Sequence, residues 1–188
     1  MTEKVALITG GARGIGRAIA LDLSASGWNV AICFRHSADQ AGEVVGTARK
    51  WGGRVWFFQC DVAQPEAAQN LVRRVQEACA QIDALIQCAG PYHRVNLLEE
   101  SVEGSRSMFD NNLHPLFYLS QAVAPGMMER KWGRIICFSM ANADQLIAQP
   151  QLTGHYIAKV GILVLARSLA RVLAPHGVTV NAISSGFI

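Results

Sequence analysis

The chain has 188 residues, a length typical of one domain and sufficient to bury a hydrophobic core. Hydrophobic residues make up 51% and charged residues 16%, which excludes an intrinsically disordered chain. The net charge is +3 and lysine and arginine form no block like those of nucleic-acid-binding tails, so we expect no nucleic-acid partner.

Short apolar runs alternate with longer segments of helical periodicity. In chain order they predict a strand at 5–9, a helix at 14–27, a strand at 28–34, a helix at 38–51, a strand at 54–60, a helix at 65–80, a strand at 83–90, a helix at 106–131, a strand at 133–139, a helix at 152–174 and a strand at 178–183. Strands that are apolar throughout indicate a sheet covered on both faces. The alternation predicts an α/β fold, a Rossmann-type doubly wound parallel sheet with helices on both faces, as a single domain over 1–188.

The cysteines and the N-terminal residues indicate the cellular compartment of the protein. Five cysteines occur without a Cys-x-x-Cys pair, most of them in apolar runs, so we expect buried, reduced thiols and no metal site. The first predicted strand begins too early to leave room for a signal peptide, and no apolar run reaches membrane-spanning length. These features predict a cytoplasmic protein with no membrane partner.

A glycine-rich turn, TGGARGIG at 9–16, joins the first predicted strand to the first helix. In a doubly wound sheet ligands bind at the carboxyl ends of the strands, where glycines let the backbone approach a pyrophosphate at a helix N-terminus. We therefore predict a dinucleotide site that includes Gly10, Gly14, Ile15 and Gly16. No Gly-Lys-Ser/Thr follows, which excludes a P-loop.

The residues after the second strand bear on which dinucleotide binds. Proteins of this fold that prefer NAD usually carry an acid there, whereas here Phe34 is followed by Arg35, His36 and Ser37. An arginine attracts the 2′-phosphate that an acid would repel, and Arg13 lies inside the glycine turn. We predict NADP(H); the alternative is that both arginines are solvated surface charges.

The spacing Thr-Gly-x-x-x-Gly-x-Gly of this turn resembles that of the short-chain dehydrogenase/reductase family, and further motifs follow in family order. They are Asp61-Val62, Cys88-Ala89-Gly90, Asn112, and Tyr156 with Lys159 in HYIAK, taken as the family's Tyr-x-x-x-Lys pair. The resemblance implies that Asp61, Val62, Ala89 and Gly90 contact the cofactor. Gln87 and Cys88 stand where the family has asparagines.

The resemblance implies hydride transfer between NADP(H) and a carbonyl or alcohol. Tyr156 would be the acid/base, since a carbonyl oxygen that gains charge needs a proton donor within reach. Lys159 would favour the phenolate and bind the nicotinamide ribose, and Asn112 would hold a water that links Lys159 to solvent. The structural alternative for Tyr156 and Lys159 is that they lie on an ordinary surface helix. The structural alternative for Asn112 is an asparagine that bends its helix.

The family's substrate-binding serine has no direct counterpart. Counted from the fifth strand its place falls on Met140, and counted back from the tyrosine it falls on Ala143, so the loop is lengthened. Methionine donates no useful hydrogen bond, and we assign the role to Ser139, with Asn142 or Asp144 as alternatives.

The C-terminal segment ISSGFI, at 183–188, resembles the segment with which relatives touch the nicotinamide, although Ser185 replaces a proline. We predict that Gly186 and Ile188 contact the cofactor. Relatives continue through a substrate-covering loop and one more strand, and we expect this chain either to be truncated or to lack that lid.

These residues predict an NADP(H)-dependent oxidoreductase acting on a small carbonyl or acyl-thioester substrate, with 3-oxoacyl thioester reduction as the nearest analogy. A pteridine reductase-like enzyme is one alternative, because GGARGIGRAIA and FRHSA also resemble such enzymes. A non-catalytic NADP-binding protein is the other. Apolar residues on several faces of the last two long helices predict a homodimer or homotetramer, since relatives bury such helices between subunits.

Overall fold

The computed structural model describes residues 4–186 and contains one sheet of six parallel strands in the order β3-β2-β1-β4-β5-β6. The strands are β1 (Val5–Thr9), β2 (Asn29–Phe34), β3 (Val55–Gln59), β4 (Ala84–Gln87), β5 (Gly133–Met140) and β6 (Val178–Ser185). The helices are α1 (Gly14–Ala25), α2 (Ala38–Lys50), α3 (Pro65–Cys79), α4 (Val102–Asn112), α5 (His114–Glu129) and α6 (Thr153–Leu173), with short 3₁₀ turns at Ala143–Gln145 and Ala174–His176. The predicted α/β fold is confirmed.

Helices cover both faces of this sheet. Alternate residues of the fully buried β1 enter two different cores. Leu7 packs in the core that α3, α5 and α6 cover, whereas Ala6 and Ile8 pack in the core that α1 and α2 cover. This two-sided burial is the physical reason why the strands have continuous rather than alternating apolar sequences.

The strand order reverses between β1 and β4, since the chain builds β2 and β3 on one side of β1 and then crosses to the other. In a parallel sheet this reversal opens a crevice at the carboxyl ends of the two central strands. Among residues 4–186, no helix is long and apolar enough to cross a membrane. All five cysteines are free thiols, and burial raises the pKa of Cys33 and of Cys88 to about 12.

The predicted helix at 106–131 is two helices. The first begins earlier than predicted, because the Ser101 hydroxyl accepts a hydrogen bond from the Gly104 N–H at 2.9 Å and caps it. The break falls at Leu113, and Pro115 lies in the first turn of the second helix, where its missing N–H costs least. The proline in the sequence was the available signal for this break.

Gln87 stabilises the break from the end of β4. The Leu116 N–H bonds to Leu113 O at 3.2 Å, one residue short of the regular helical partner, Asn112 O. The buried Gln87 side chain donates from Nε2 to that Asn112 oxygen at 3.1 Å. The sheet and the break are thereby joined next to the crevice.

We predict that Gln87→Leu lowers the free energy of unfolding by about 1–3 kcal/mol, because it removes the side-chain donor of a buried carbonyl. Urea denaturation measures the change. Gln40→Leu on the exposed side of α2 is the matched control and should change stability by less than about 0.5 kcal/mol. Equal urea midpoints for Gln87→Leu and the unmodified chain would show that the contact contributes nothing.

Candidate functional site

A cavity of about 450 Å³ lies at the carboxyl ends of β1 to β4, where the strand order reverses. The predicted cofactor residues that line it are Gly10, Arg13, Gly14, Ile15, Gly16, Arg35, His36, Ser37, Asp61, Val62, Ala89 and Gly90. The lining residues that the sequence did not predict are Ala12, Cys33, Phe34, Cys60, Cys88, Pro91 and Asn111. Predicted Gly186 is exposed after β6, and predicted Ile188 lies outside the described residues.

The glycine turn has no room for a side chain at its closest approach. A Cβ added to Gly16, in the first turn of α1, would lie 2.4 Å from the main-chain oxygen of Gly10. The turn therefore folds back on itself, and its main chain at Gly10 and Gly16 lines the cavity at the N-terminus of α1 without a side chain. Such a surface suits a phosphate group.

Arg35 is held at the rim of the cavity. Its Nη1 donates to Asn111 Oδ1 at 3.2 Å and lies 3.7 Å from Asp61 Oδ2. Gln59 Nε2 donates to the main-chain oxygen of Arg35 at 3.0 Å. A guanidinium carries five N–H donors, so a group anchored through Nη1 retains further donors for an anion. The contact with Asn111 joins residues 76 positions apart and has no local sequence signal.

Lys159 lies on α6 beside the end of β5. Its Nζ donates to the main-chain oxygen of Phe138 at 2.9 Å, and burial lowers its pKa. The Ser139 hydroxyl donates to the main-chain oxygen of Lys159 at 2.8 Å. The proton of the predicted substrate-binding serine is thus used to hold α6 against β5, which positions Lys159.

Asn112 is fully buried, and its side-chain nitrogen donates to Pro91 O at 3.1 Å and to Met108 O at 3.0 Å. Its Oδ1 is buried without a hydrogen-bond partner among the described residues. The side chain therefore links α4 to the segment that leaves β4, and Pro91 in that segment lines the cavity.

The match of Tyr156 and Lys159 to the family's Tyr-x-x-x-Lys pair fails at the spacing. Two residues, not three, separate Tyr156 from Lys159, and the residue four positions before Lys159 is His155. On a helix, residues at i and i+4 share a face, so His155 is on the lysine's side. The spacing of His155, Tyr156 and Lys159 can be read directly from the sequence.

The Tyr156 hydroxyl is bound by the loop between β5 and α6. It donates to the main-chain oxygen of Asn142 at 2.8 Å and accepts from the Ile147 N–H at 3.0 Å. Asn142 adopts a left-handed backbone conformation, with φ of 61°. Main-chain contacts of this kind leave no residue signature, so the sequence could not predict them.

The Tyr156 ring borders a second cavity of about 450 Å³, on the other side of the start of α6. Its walls are mainly apolar, from the loop before α6, from α6 itself and from Leu97. The arrangement offers a glycine-lined anion site, a partly buried lysine and an apolar cavity at one edge of the sheet.

His155 is buried, and its ring meets the edge of the Tyr92 ring at a centroid distance of 5.2 Å. Burial lowers the pKa of His155 to about 4, the Lys159 charge acts in the same direction, and the Pro91 carbonyl opposes both. The imidazole is therefore neutral at pH 7, in contrast to the partly protonated histidine of an unfolded chain.

This pKa shift makes stability depend on pH in a defined direction. Between pH 6.5 and about 4 the unfolded chain binds a proton at His155 that the folded chain does not, so acidification destabilises the fold. The loss is at most about 3 kcal/mol. In urea denaturation at pH 7 and pH 4.5, His155→Gln should show a smaller loss on acidification than the unmodified chain. An equal loss would contradict the shift.

Comparisons with known proteins agree with this geometry. The family described as short chain dehydrogenase matches residues 4–188. The 3-oxoacyl-[acyl-carrier-protein] reductase of Synechocystis sp. is 34% identical over 188 residues, which cover 100% of this chain and 75% of that protein. The short-chain reductase protein NovJ of Streptomyces niveus is 38% identical over 186 residues, which cover 99% of this chain and 70% of that protein.

Solved structures give the same result. A putative short-chain alcohol dehydrogenase from Sinorhizobium meliloti 1021 superposes with a TM-score of 0.93 at 27% identity, over 100% of this chain and 73% of the other. The crystal structure of gox2181 superposes with a TM-score of 0.90 at 32% identity, over 98% of this chain and 72% of the other. Both likenesses extend over nearly the whole chain.

Proposed function

The chain belongs to the short-chain dehydrogenase family of oxidoreductases, and on that premise we propose that it is an NADP(H)-dependent oxidoreductase that interconverts a carbonyl and an alcohol. Reduction of a 3-oxoacyl thioester is its leading reaction. The observation that carries the proposal is the cavity at the strand-order reversal, with its glycine turn, rim arginine and neighbouring partly buried lysine.

The residues present fit a nicotinamide dinucleotide. The main-chain surface at Gly16 would receive the pyrophosphate, and Asp61 and Val62 would lie beside the adenine. Arg35 would bind a 2′-phosphate, with Arg13, His36 and Ser37 lining the same part of the cavity as further candidates.

Lys159 is the residue that we propose beside the nicotinamide ribose and the reacting groups. When bound, the reduced nicotinamide supplies the hydrogen and two electrons that the carbonyl carbon gains. The carbonyl oxygen then needs a proton from this chain. Two side chains at the start of α6 are candidates, namely Tyr156, which the family resemblance indicated, and His155. Asn112 would connect this region to solvent through its unpartnered Oδ1.

The apolar cavity beside α6 supports an acyl substrate. Its side walls include Leu97, Leu146, Ile147, Ile157 and Val160. Aliphatic walls suit an alkyl chain, whereas a pteridine would need hydrogen-bonding groups at its ring edges. The relatives named 3-oxoacyl-[acyl-carrier-protein] reductase support the same choice.

We further propose a cytoplasmic protein that acts as a homodimer or homotetramer without nucleic-acid or membrane partners. Exposed apolar side chains on successive helices support self-association. They are Val102 on α4, Phe117 on α5, and Ile157, Val164 and Val172 on α6.

NADPH oxidation with a 3-oxoacyl thioester and with a dihydropteridine tests the reaction. We expect turnover with the thioester, and Lys159→Met should reduce kcat at least about 100-fold because the site loses its partly buried cation. Lys50→Met on the exposed end of α2 is the control and should leave kcat unchanged. Turnover with the dihydropteridine alone would favour the pteridine reductase alternative. Tight NADPH binding without turnover of either substrate would favour a non-catalytic NADP-binding protein.

Cofactor choice is tested at Arg35. Arg35→Asp should weaken NADPH binding at least about 100-fold while weakening NADH binding less than about threefold, since it replaces a phosphate-binding cation with a repelling anion. Fluorescence titration of both cofactors measures this. Arg49→Asp on α2 serves as a charge-matched control. Equal weakening of NADPH binding and NADH binding would contradict the assignment of Arg35 to the 2′-phosphate.

A further inference from the structure

The contacts of the two candidate side chains at the start of α6, His155 and Tyr156, differ. Lys159 and His155 are one turn apart on the same face, and the Lys159 charge acts on the His155 imidazole. The Pro91 carbonyl also acts on His155, and Pro91 lines the cofactor cavity. His155 therefore lies one helical turn from Lys159 and near Pro91, a residue of that cavity's wall.

Tyr156 is directed away from this face. Its hydroxyl proton is donated to Asn142, its oxygen accepts from Ile147, and its ring borders the apolar cavity. A phenol has one proton to give, so proton donation to a substrate would require this loop contact to break. The contacts of Tyr156 are those of a residue that fixes the loop before α6.

The imidazole of His155 is free to act. The residue is 7% exposed, and its Nδ1 is buried without a hydrogen-bond partner among the described residues. A buried polar nitrogen without a partner costs free energy, and such groups are kept where they have a function. The neighbouring groups are Lys159 on α6, Tyr92 and His93 on the segment after β4, and Glu100, which binds His93 at 2.5 Å.

We propose that His155, rather than Tyr156, is the acid/base of the reaction. In reduction, the imidazole first takes a proton from solvent. The N–H bond of the resulting imidazolium then breaks, and its proton forms the hydroxyl of the product. The carbonyl carbon gains its hydrogen and electron pair from the reduced nicotinamide. In oxidation, the neutral imidazole takes the proton of the alcohol. This assignment rests on the proposed carbonyl–alcohol reaction and names the group that moves its proton.

Two matched substitutions separate the candidates. His155→Phe keeps a ring against Tyr92 and should lower kcat at least about 100-fold, with the NADPH dissociation constant changed less than about threefold. Tyr156→Phe keeps its ring in the apolar cavity and should change kcat less than about tenfold. The reverse ranking would overturn the proposal.

The pH dependence of alcohol oxidation gives a readout that loss of packing would not produce. A base that is already neutral at pH 6 gives a kcat that is flat from pH 6 to pH 9. His155→Tyr should make kcat rise with pH across this range, since a phenol must first ionise. A kcat that already rises with pH in the unmodified chain would overturn the assignment.

A measurement without turnover covers the case in which these variants fail to fold. In the unmodified chain labelled with ¹³C-histidine, the Cε1–H resonance of His155 should shift on addition of NADPH, and Tyr156→Phe should not abolish the shift. His155→Gln assigns the resonance. No shift at saturating NADPH would overturn the proposal. A shift without turnover of any carbonyl would support the placement of His155 and contradict the proposed function instead.

Discussion

The contact between the end of β1 and the end of β4 is the constraint on which the site depends. The Thr9 hydroxyl accepts a hydrogen bond from the Ala89 N–H at 3.1 Å, and a Cβ added to Gly10 would lie 3.1 Å from the same nitrogen. Gly10 also adopts a left-handed backbone, with φ of +65°. The segments that follow β1 and β4 are therefore in contact at Gly10 and Ala89. Beyond this contact the first segment continues into the glycine turn and the second continues to Pro91.

Three side chains around the site are held by hydrogen bonds to main-chain carbonyls. Asn112 O binds Gln87, Phe138 O binds Lys159, and Lys159 O binds Ser139. Each bond joins a strand end to a helix, so the sheet fixes where α4 and α6 present their side chains. A partly buried cation held in this way, with its pKa lowered, can stabilise negative charge that develops on a neighbouring group.

The sequence predicted the sheet and the cavity well, because both rest on patterns with a direct physical cause. Continuous apolar runs report burial on both faces, and glycines at 10, 14 and 16 report a main-chain surface. It failed where a contact has no residue signature. The loop atoms that bind Tyr156 are main-chain, and Asn111 reaches Arg35 across 76 positions.

The start of α6 differs from the family motif for a different reason. The residue four positions before Lys159 is His155, and Tyr156 is three positions before it. The bound hydroxyl of Tyr156 and the unpartnered Nδ1 of His155 are thus the observations on which the proposed proton chemistry rests.

Transfer of hydrogen from a bound nicotinamide to a carbonyl carbon is the reaction that we propose for this site. Incubation of the chain with a 3-oxoacyl thioester and NADPH deuterated at the transferable position of the nicotinamide tests it directly, with the product analysed by mass spectrometry. We predict a hydroxyacyl product that carries the deuterium on its carbinol carbon. Saturating NADPH binding together with no deuterated product from any carbonyl substrate would contradict it.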